Sequence, residues 1–309
     1  MSIPVLLSVT EPVFAEAFSS WVRRNRPEVQ LLTADHPRAA EAQVAACWHP
    51  DPQLVRRFPG LRLLQSLAAG VDHMSEEMLD AGLPVCRIVS SQQKHGMFEY
   101  ILWGVLSFQR YFDRALVQQN AAVWQDCLQR KASEVRIGIM GLGEIGGYVA
   151  AKLVAMDYRV AGWSRTPKQI AGVTSHSGDG GLQDLLQDTD ILVNLLPLTD
   201  ATTNLIDQQL IEYLPQGATI INCGRGAHVV EDDLISAVTS GRLRGAILDV
   251  FREEPLPAES RLWSTPGILV TPHIASKSDI SVIADQLVDN ASRHHAGRPL
   301  RNKVQHKSR

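Results

Sequence analysis

Three polar residues, Arg225, Glu254 and His273, are the strongest candidates for catalysis in this sequence. The planar guanidinium of Arg225 can hold a carboxylate and an adjacent ketone at once. When a hydride reaches the ketone carbon, the resulting alkoxide needs a proton, which a histidinium at His273 supplies near neutral pH. A carboxylate at Glu254 favours the charged ring and fixes its orientation. Together the three residue types predict reduction of a 2-keto acid.

Taken singly, each of these residues also has a structural explanation. A strand-end arginine is often in a salt bridge, a single histidine is more often structural, and Glu254 is one of three charges in the stretch REE. Their positions favour the catalytic interpretation, because Arg225, Asp249 and His273 each fall at or just after a predicted strand end. In doubly wound sheets, ligands bind beyond the carboxyl ends of the strands. We therefore expect these residues to line one crevice.

A glycine-rich turn, GLGEIG, lies between the apolar run VRIGIM and the helical run IGGYVAAKLVAM. It matches the pattern GxGxxG, whose glycines allow a tight turn, close approach of a pyrophosphate, and close packing of helix on strand. The N-terminus of the following helix offers free N–H groups to the phosphates. A purely structural turn is the alternative. The context predicts a dinucleotide site formed by Gly141, Gly143, Glu144, Ile145 and Gly146.

The stretch WSRTPK after the next predicted strand indicates which dinucleotide is preferred. An NAD site usually carries an acidic residue here, to bond the ribose 2′-hydroxyl. This sequence instead has Ser164, which can bond a 2′-phosphate, and Arg165 and Lys168, which can neutralise it. An exposed basic loop without a ligand is the alternative. We expect NADPH as the preferred cofactor, with NADH still possible.

Short β-branched runs alternate with helical patterns along most of the chain, which predicts an α/β fold with parallel sheets. We interpret the chain as two Rossmann-like, doubly wound parallel-sheet domains with an interdomain cleft. A helix-favouring region covers 97–129, and helices are predicted at 13–24 and 279–294. The predicted strands are 5–9, 43–48, 61–66, 85–89, 135–140, 159–163, 191–195, 219–222, 246–250 and 268–270.

Composition narrows the function classes. The chain has 309 residues, 45% hydrophobic and 20% charged, with a net charge of −3, which suits two globular domains and gives no reason to expect nucleic acid or a membrane as a partner. The four cysteines form no CxxC pair, so we expect neither a metal site nor disulfides. No basic leader or long apolar run appears at the N-terminus, and we expect a cytoplasmic protein.

The stretches RGAHVVEDDL, LDVFREEPLP and TPHIA, supported by LAAGVDH, GLGEIG and WSRTPK, resemble the D-isomer-specific 2-hydroxyacid dehydrogenase family from about Trp48 to the final predicted helix. The resemblance implies that Arg225 binds substrate, Glu254 supports the acid and His273 donates the proton. It implies NADPH-dependent reduction of a small 2-keto acid, with glyoxylate (to glycolate) and hydroxypyruvate (to D-glycerate) favoured.

The same resemblance implies further site residues. Backbone N–H groups around Ala69 and Gly70 would bind the substrate carboxylate, and Trp48 would limit substrate size unless it merely packs at a strand end. Asp249 would bond the nicotinamide carboxamide, unless it is a helix cap or salt-bridge partner. The other residues implied to contact the nicotinamide half are Leu196, Pro197, Leu198, Cys223 and Gly224. The segment KHGMFEY departs from the family pattern, which leaves the cofactor contacts of 94–100 open.

Family likeness also implies the domain organisation. Residues 1–98 and 276–309 would form a discontinuous substrate-binding domain, and 99–275 a dinucleotide-binding domain whose segment 99–129 makes a homodimer contact. His73, His95 and His228 lie near these motifs, but we assign them no role and expect surface or hinge positions.

Two other functions remain open. A phosphoglycerate dehydrogenase usually favours NAD and needs a further phosphate contact that we do not find; a formate dehydrogenase would pair the histidine with glutamine rather than Glu254. A cofactor-sensing corepressor-like module would usually carry extra interaction segments, whereas little of this sequence falls outside the two expected domains.

Overall fold

The computed structural model describes residues 2–304, with Asp179 described by its backbone alone. They form two compact units, one made of the residues up to Ser90 together with those from Ser278 onward, the other of Ser91–Lys277. These boundaries differ from the expected ones at 98/99 and 275/276, because Ser91–Gln109 is one continuous helix that packs on the second unit's core. Residues 305–309, assigned from sequence to the first domain, lie outside the described part of the chain.

The first unit is a parallel sheet of five strands in the order β2-β1-β3-β4-β5. The buried centre of the sheet, β3, has one apolar core on each face, as parallel strands between helical layers require. In chain order, the elements are β1 (Ile3–Val9), α1 (Pro12–Asn25), β2 (Val29–Leu32), β3 (Val44–Trp48), α2 (Leu54–Arg57), β4 (Leu63–Ser66), α3 (Glu76–Asp80), β5 (Val85–Cys86) and, last, α10 (Ile280–His295).

Helix α10 completes the core of this first unit. Its buried residues Ala284 and Leu287 pack in one apolar cluster with Phe18 of α1 and Leu63 of β4. Polar contacts fix its position as well, since Asn290 Nδ2 donates to Gln65 Oε1 at 2.8 Å, within the same buried layer. The first unit is therefore assembled from both ends of the chain.

The second unit is a seven-stranded sheet in the order β12-β11-β10-β9-β6-β7-β8, and every strand pair is parallel. In chain order, the elements are α4 (Ser91–Gln109), α5 (Phe112–Asn120), β6 (Arg136–Met140), α6 (Glu144–Val154), β7 (Arg159–Trp163), β8 (Val173–His176), α7 (Gly178–Gln187), β9 (Ile191–Asn194), α8 (Gln208–Tyr213), β10 (Ala218–Asn222), α9 (Glu231–Thr239), β11 (Leu243–Leu248) and β12 (Ile268–Val270).

The strand order of this sheet reverses beside β6, which pairs with β7 on one side and β9 on the other. Such a reversal opens a crevice at the carboxyl ends of the strands, where α/β sheets bind their ligands. Both sheets are parallel and each lies among helices, so the prediction of two doubly wound α/β units is confirmed.

Two strands and one helical region differ from the sequence expectations. The edge strands β2 and β8 were not predicted; β8 has no fully buried residue, so it lacks the apolar run that marks an inner strand. The helix-favouring region 97–129 divides at Tyr111, whose φ of 58° is left-handed, and has no helix after Asn120. Within residues 2–304, no helix is long and apolar enough to cross a membrane.

Candidate active site

The glycine-rich turn between β6 and α6 has the geometry of a phosphate cradle. Gly141 has a φ of 104°, and a Cβ there would lie 2.7 Å from Leu195 O. A Cβ at Gly146 would lie 1.8 Å from Gly141 O, so helix and strand can pack this closely only without side chains. A Cβ at Gly143, by contrast, would meet nothing within 4 Å, which leaves the first turn of α6 open to a ligand. The turn therefore fits a pyrophosphate group.

The two residues between the last glycines make different contacts. The Glu144 carboxylate forms an ion pair with Lys94 at 2.6 Å, and the Ile145 side chain packs against the apolar core. Their backbone N–H groups lie in the first turn of α6, where helical N–H groups have no intrahelical acceptor. Their backbone N–H groups can therefore bind a phosphate while the Glu144 side chain pairs with Lys94 and the Ile145 side chain packs in the core.

The loop after β7 is basic and exposed. The side chains of Arg165 and Lys168 are exposed, and neither makes an ion pair with any acidic side chain that the structure describes. Ser164 is 8% exposed and its hydroxyl donates to Thr166 O at 2.8 Å, and its bond to a 2′-phosphate stays a prediction. The bond to Thr166 closes the loop locally, so the two cations, rather than the serine, are the groups that face solvent here.

The residues expected at the nicotinamide follow β9 and β10. Leu196 is buried and its N–H donates to Asn194 Oδ1 at 3.2 Å, whereas Pro197 is exposed and Leu198 half-buried. Cys223 and Gly224 are buried. Burial raises the pKa of the Cys223 thiol well above its usual value, so the thiol keeps its proton.

Arg225 begins a short 3₁₀ turn, Gly226–His228, directly after β10. Its guanidinium is half-buried, and Nη1 donates to Gly224 O at 2.7 Å. A Cβ at Gly226 would lie 1.8 Å from the Phe251 carbonyl carbon, so no side chain fits there. The chain thus leaves β10 on a path that close backbone packing fixes.

Glu254 and His273 form a hydrogen-bonded pair, with Oε2 of the carboxylate 2.7 Å from ring Nδ1. Oε1 accepts from the Phe251 N–H at 2.9 Å. Burial works to raise the pKa of the Glu254 carboxyl, but the hydrogen bonds from His273 and Phe251, with the charges of His273 and Arg225, hold that pKa below its usual value. The carboxylate stays charged near neutral pH, and no described group bonds His273 Nε2.

Asp249 holds the loop that carries His273. It is 1% exposed, and Oδ1 accepts from Thr271 Oγ1 at 2.7 Å and from the Ile274 N–H at 2.8 Å. Oδ2 accepts from the Ala275 N–H at 2.8 Å, and the Asp249 carbonyl accepts from the His273 N–H at 2.9 Å. These bonds stabilise His273 at a left-handed φ of 52°. A bond from Asp249 to a carboxamide stays a prediction.

Two residues that support this loop were not singled out from the sequence. Thr271 Oγ1, which bonds Asp249, also lies 2.6 Å from the hydroxyl of Tyr100 of α4. Tyr100 lies in the apolar run EYILWGVL, where a pattern of this kind predicts only that an aromatic residue packs in the core. No local pattern predicts its bond to Thr271, which is distant in the sequence.

Three expected substrate contacts lie in the first unit. The Trp48 ring, at the end of β3, is half-buried and packs 4.9 Å from the His49 ring and 5.1 Å from the His73 ring. Ala69 and Gly70 follow β4, and their carbonyls accept from Arg87 Nη1 and Ser66 Oγ. No described group accepts from the N–H of Ala69 or Gly70, so both donors are available to a carboxylate.

The family of the protein follows from its similarity to known sequences and structures. Residues 102–275 match the family model described as D-isomer specific 2-hydroxyacid dehydrogenase, NAD binding domain. This range includes the glycine-rich turn, Arg225, Glu254 and His273. The chain belongs to the D-isomer specific 2-hydroxyacid dehydrogenases, which are oxidoreductases, and the resemblance predicted from its motifs is confirmed.

Particular relatives narrow the similarity. Glyoxylate/hydroxypyruvate reductase A of Yersinia enterocolitica is 39% identical over 263 residues, which cover 83% of this chain and 84% of that protein. A D-isomer specific 2-hydroxyacid dehydrogenase family protein from Klebsiella pneumoniae 342 is 48% identical, with a TM-score of 0.94 and coverage of 99% of this chain and 98% of that one. An NADPH-dependent glyoxylate/hydroxypyruvate reductase from Sinorhizobium meliloti, in complex with NADP and sulfate, is 33% identical, with a TM-score of 0.87 over 98% of each chain.

Proposed function

We propose that the protein is an NADPH-dependent reductase of small 2-keto acids, with glyoxylate and hydroxypyruvate as its main substrates. The observation that carries the proposal is the hydrogen bond that His273 Nδ1–H donates to Glu254 Oε2, which leaves Nε2 facing away from the carboxylate. A histidine held in this way is suited to donate a proton from Nε2 to a substrate oxygen. The relatives from Yersinia enterocolitica and Sinorhizobium meliloti support the choice of substrates.

When bound, NADPH would supply the hydride that reduces the keto carbon. Arg225 orients the substrate by binding the carboxylate and ketone oxygens of the keto acid, because the planar guanidinium can bond both at once. His273 donates its Nε2 proton to the ketone oxygen as negative charge develops there, and Glu254 stabilises the charged ring that the reaction starts from. The product is a 2-hydroxy acid, and His273 recovers its proton from solvent.

The second unit is the proposed cofactor domain and the first the proposed substrate domain. The cradle of Gly141, Gly143 and Gly146 would hold the pyrophosphate, with Arg165 and Lys168 on the 2′-phosphate. Arg165 and Lys168 support NADPH because they are exposed cations without acidic partners in the described chain. In the first unit, the N–H groups of Ala69 and Gly70 would bind the substrate carboxylate, and Trp48 would restrict the size of the remaining substituent.

A panel of keto acids crossed with NADPH and NADH, followed by nicotinamide absorbance, tests this function. Glyoxylate and hydroxypyruvate with NADPH should give the highest kcat/KM. A preference for 3-phosphohydroxypyruvate with NADH would instead make the protein a phosphoglycerate dehydrogenase. Cofactor binding without turnover of any keto acid would favour a sensing module. The expected cytoplasmic location stays a prediction.

We also propose a homodimer formed through an apolar arm, defined as residues 112–129. The arm exposes Phe112, Leu116, Val117, Trp124 and Leu128, and the last two are 101% and 92% exposed. Contiguous exposed apolar residues of this size mark protein interfaces. The arm thus resembles one half of an interface between two copies of this chain.

Sedimentation of a Trp124→Ser, Leu128→Ser variant tests the dimer. The wild type should sediment as a dimer and the variant as a folded monomer, because the interface loses its largest apolar side chains. Val13→Ser is the matched control, since Val13 is 78% exposed on α1, away from the arm in sequence, and should leave the dimer intact. A monomeric wild type, or a variant that remains dimeric, would contradict the proposal.

A further inference from the structure

Three fully buried polar side chains lie under the loop that carries Arg225. They are Asn194 at the end of β9, Asn222 at the end of β10, and His228 in the 3₁₀ turn, each 0% exposed. Burying polar groups costs free energy unless each is hydrogen-bonded. The sequence led us to expect His228 at a surface or hinge, and the structure corrects this expectation. A buried polar cluster of this kind indicates that hydrogen bonds fix the conformation of the loop above it.

The bonding pattern defines the protonation of His228. The Arg225 N–H donates to His228 Nδ1 at 3.0 Å, and Asn194 Nδ2 lies 2.9 Å from the same nitrogen. A ring nitrogen that accepts a backbone N–H carries no proton itself. The ring proton is therefore on Nε2, which lies 3.3 Å from the Pro197 carbonyl. His228 is thus a neutral ring in its Nε2–H form.

Asn222 holds the same backbone from the other side. Its Nδ2 donates to Arg225 O at 3.2 Å, and its Oδ1 accepts from the Gly224 N–H at 3.2 Å and from Asn194 Nδ2 at 2.9 Å. Both the N–H and the carbonyl of Arg225 are therefore bonded to buried side chains. A Cβ at Gly224 would lie 2.8 Å from Asn194 Nδ2 and 3.0 Å from His228 Nδ1, so the loop lies directly on this cluster.

We propose that His228 is a positioning residue for keto-acid binding: through Nδ1 it fixes the backbone of Arg225 and so directs the guanidinium at the substrate. The proposal rests on the proposed function, in which Arg225 binds the keto acid. His228 does not touch the substrate in this scheme. Its acceptor nitrogen matters because an unsatisfied Arg225 N–H in a buried site would draw the backbone away from its position. Misplacing a bidentate group by a small distance weakens binding strongly.

His228→Asn and His228→Gln both introduce a side-chain carboxamide, and they differ only in how far it reaches. His228→Asn can place its Oδ1 near the position of Nδ1 and keep the acceptor for Arg225. His228→Gln reaches instead toward the Nε2 position and Pro197, and it leaves the Arg225 N–H without an acceptor. We expect KM for glyoxylate to rise by about tenfold or more in His228→Gln and to stay within about threefold of wild type in His228→Asn. The dissociation constant of NADPH should change by less than about threefold in both.

Combining His228→Gln with Arg225→Lys tests whether the effect acts through Arg225. Arg225→Lys should by itself raise KM strongly, because an ammonium cannot reproduce a bidentate fork. If His228 acts through Arg225, the double variant should show little further increase in KM. Fully multiplicative effects, or equal KM values in His228→Asn and His228→Gln with only lowered Tm, would overturn the proposal.

A measurement on the wild type does not depend on any variant folding. Imidazole ¹⁵N chemical shifts at His228, at a pH where the protein is active, should show a proton on Nε2 and none on Nδ1. A proton on Nδ1 would overturn the proposal. The two hypotheses fail differently: a wild type that reduces no keto acid contradicts the proposed function, whereas an active wild type with indifferent His228 variants contradicts only the role of His228.

Discussion

The loops that carry Arg225 and His273 differ sharply from the loop that carries Arg165, although all three follow strands of the same sheet. The first two are held by buried polar side chains, with His228 0% and Asp249 1% exposed. The third projects from an edge of the sheet beside β8, and its cations are exposed.

This difference corresponds to different chemical demands. Proton donation and bidentate substrate binding need atoms fixed within a fraction of an ångström, which buried hydrogen bonds provide. Attraction of a phosphate by cations acts over a longer range and tolerates movement, although salt screens it. We therefore expect substitutions in the fixed loops to change substrate binding or the chemical step, and substitutions in the exposed loop to change only the choice of cofactor.

The largest expected effect tests the fixed loop of His273. His273→Gln should lower kcat for glyoxylate reduction by at least about a hundredfold, because the general acid is lost while the loop's bonds to Asp249, none of which uses the His273 ring, remain. Steady-state kinetics with saturating NADPH measures this. His295→Gln, an exposed histidine of α10, is the control and should retain wild-type kcat. A kcat within about tenfold of wild type would remove His273 from the mechanism.

A smaller effect is expected in the exposed loop. Replacing Arg165 and Lys168 together by Ala should reduce the preference for NADPH over NADH by about tenfold or more, since exposed charge-assisted bonds to a phosphate reach only the lower end of their usual range. Ser164 is left intact because its hydroxyl closes the loop. The ratio of kcat/KM for the two cofactors reports the change, and kcat with the better cofactor should hold.

Arg159→Ala is the control for the cofactor variant, because Arg159 is an exposed arginine at the opposite end of β7. It should leave the NADPH/NADH ratio as it is. If removing Arg165 and Lys168 left that ratio unchanged, or if the wild type preferred NADH, the loop would be a basic surface without a role in recognition.

Glu254→Gln is expected to change kcat least at optimal pH. Its effect should appear as a shift of the pH profile of reduction. The pKa of the Glu254 carboxyl is lowered, so the wild type carries a negative charge beside His273 throughout the active range. An amide removes that charge, which makes the charged ring less favourable. The pH above which reduction declines should therefore move down.

Glu253→Gln, at the exposed neighbouring residue, should leave the pH profile in place. A profile that is the same in Glu254→Gln and wild type would separate Glu254 from the proton transfer and leave it a structural role on the Phe251 N–H.

The structural features that the sequence predicts correctly are those that depend on short, local stretches of residues. The turn GLGEIG, between an apolar strand and a helix, specifies its own backbone path, and each glycine has a clash or an open space that explains it. Arg225 and His273 were placed at strand ends because the apolar runs before them are continuous. The parallel sheets followed from the alternation of strand and helix patterns.

The features missed depend on contacts between distant residues. His228 lies in a polar stretch, RGAHVVEDDL, and it is buried through contacts with residues distant in sequence such as Asn194 at the end of β9. The bond of Tyr100 to Thr271 links residues far apart in the chain, and edge strand β8 pairs on one side only, so it needs no apolar run. Residues that support the site were therefore invisible to local patterns.

The position of α10 has a consequence for synthesis on the ribosome. The core of the first unit includes Ala284 and Leu287, so its N-terminal strands emerge without the helix that covers them. The second unit is continuous from Ser91 to Lys277 and has its whole sequence available earlier. Domains usually fold in the order in which they are made. In this chain the strands of the first unit are translated before the second unit, but their core stays incomplete until α10 has left the tunnel.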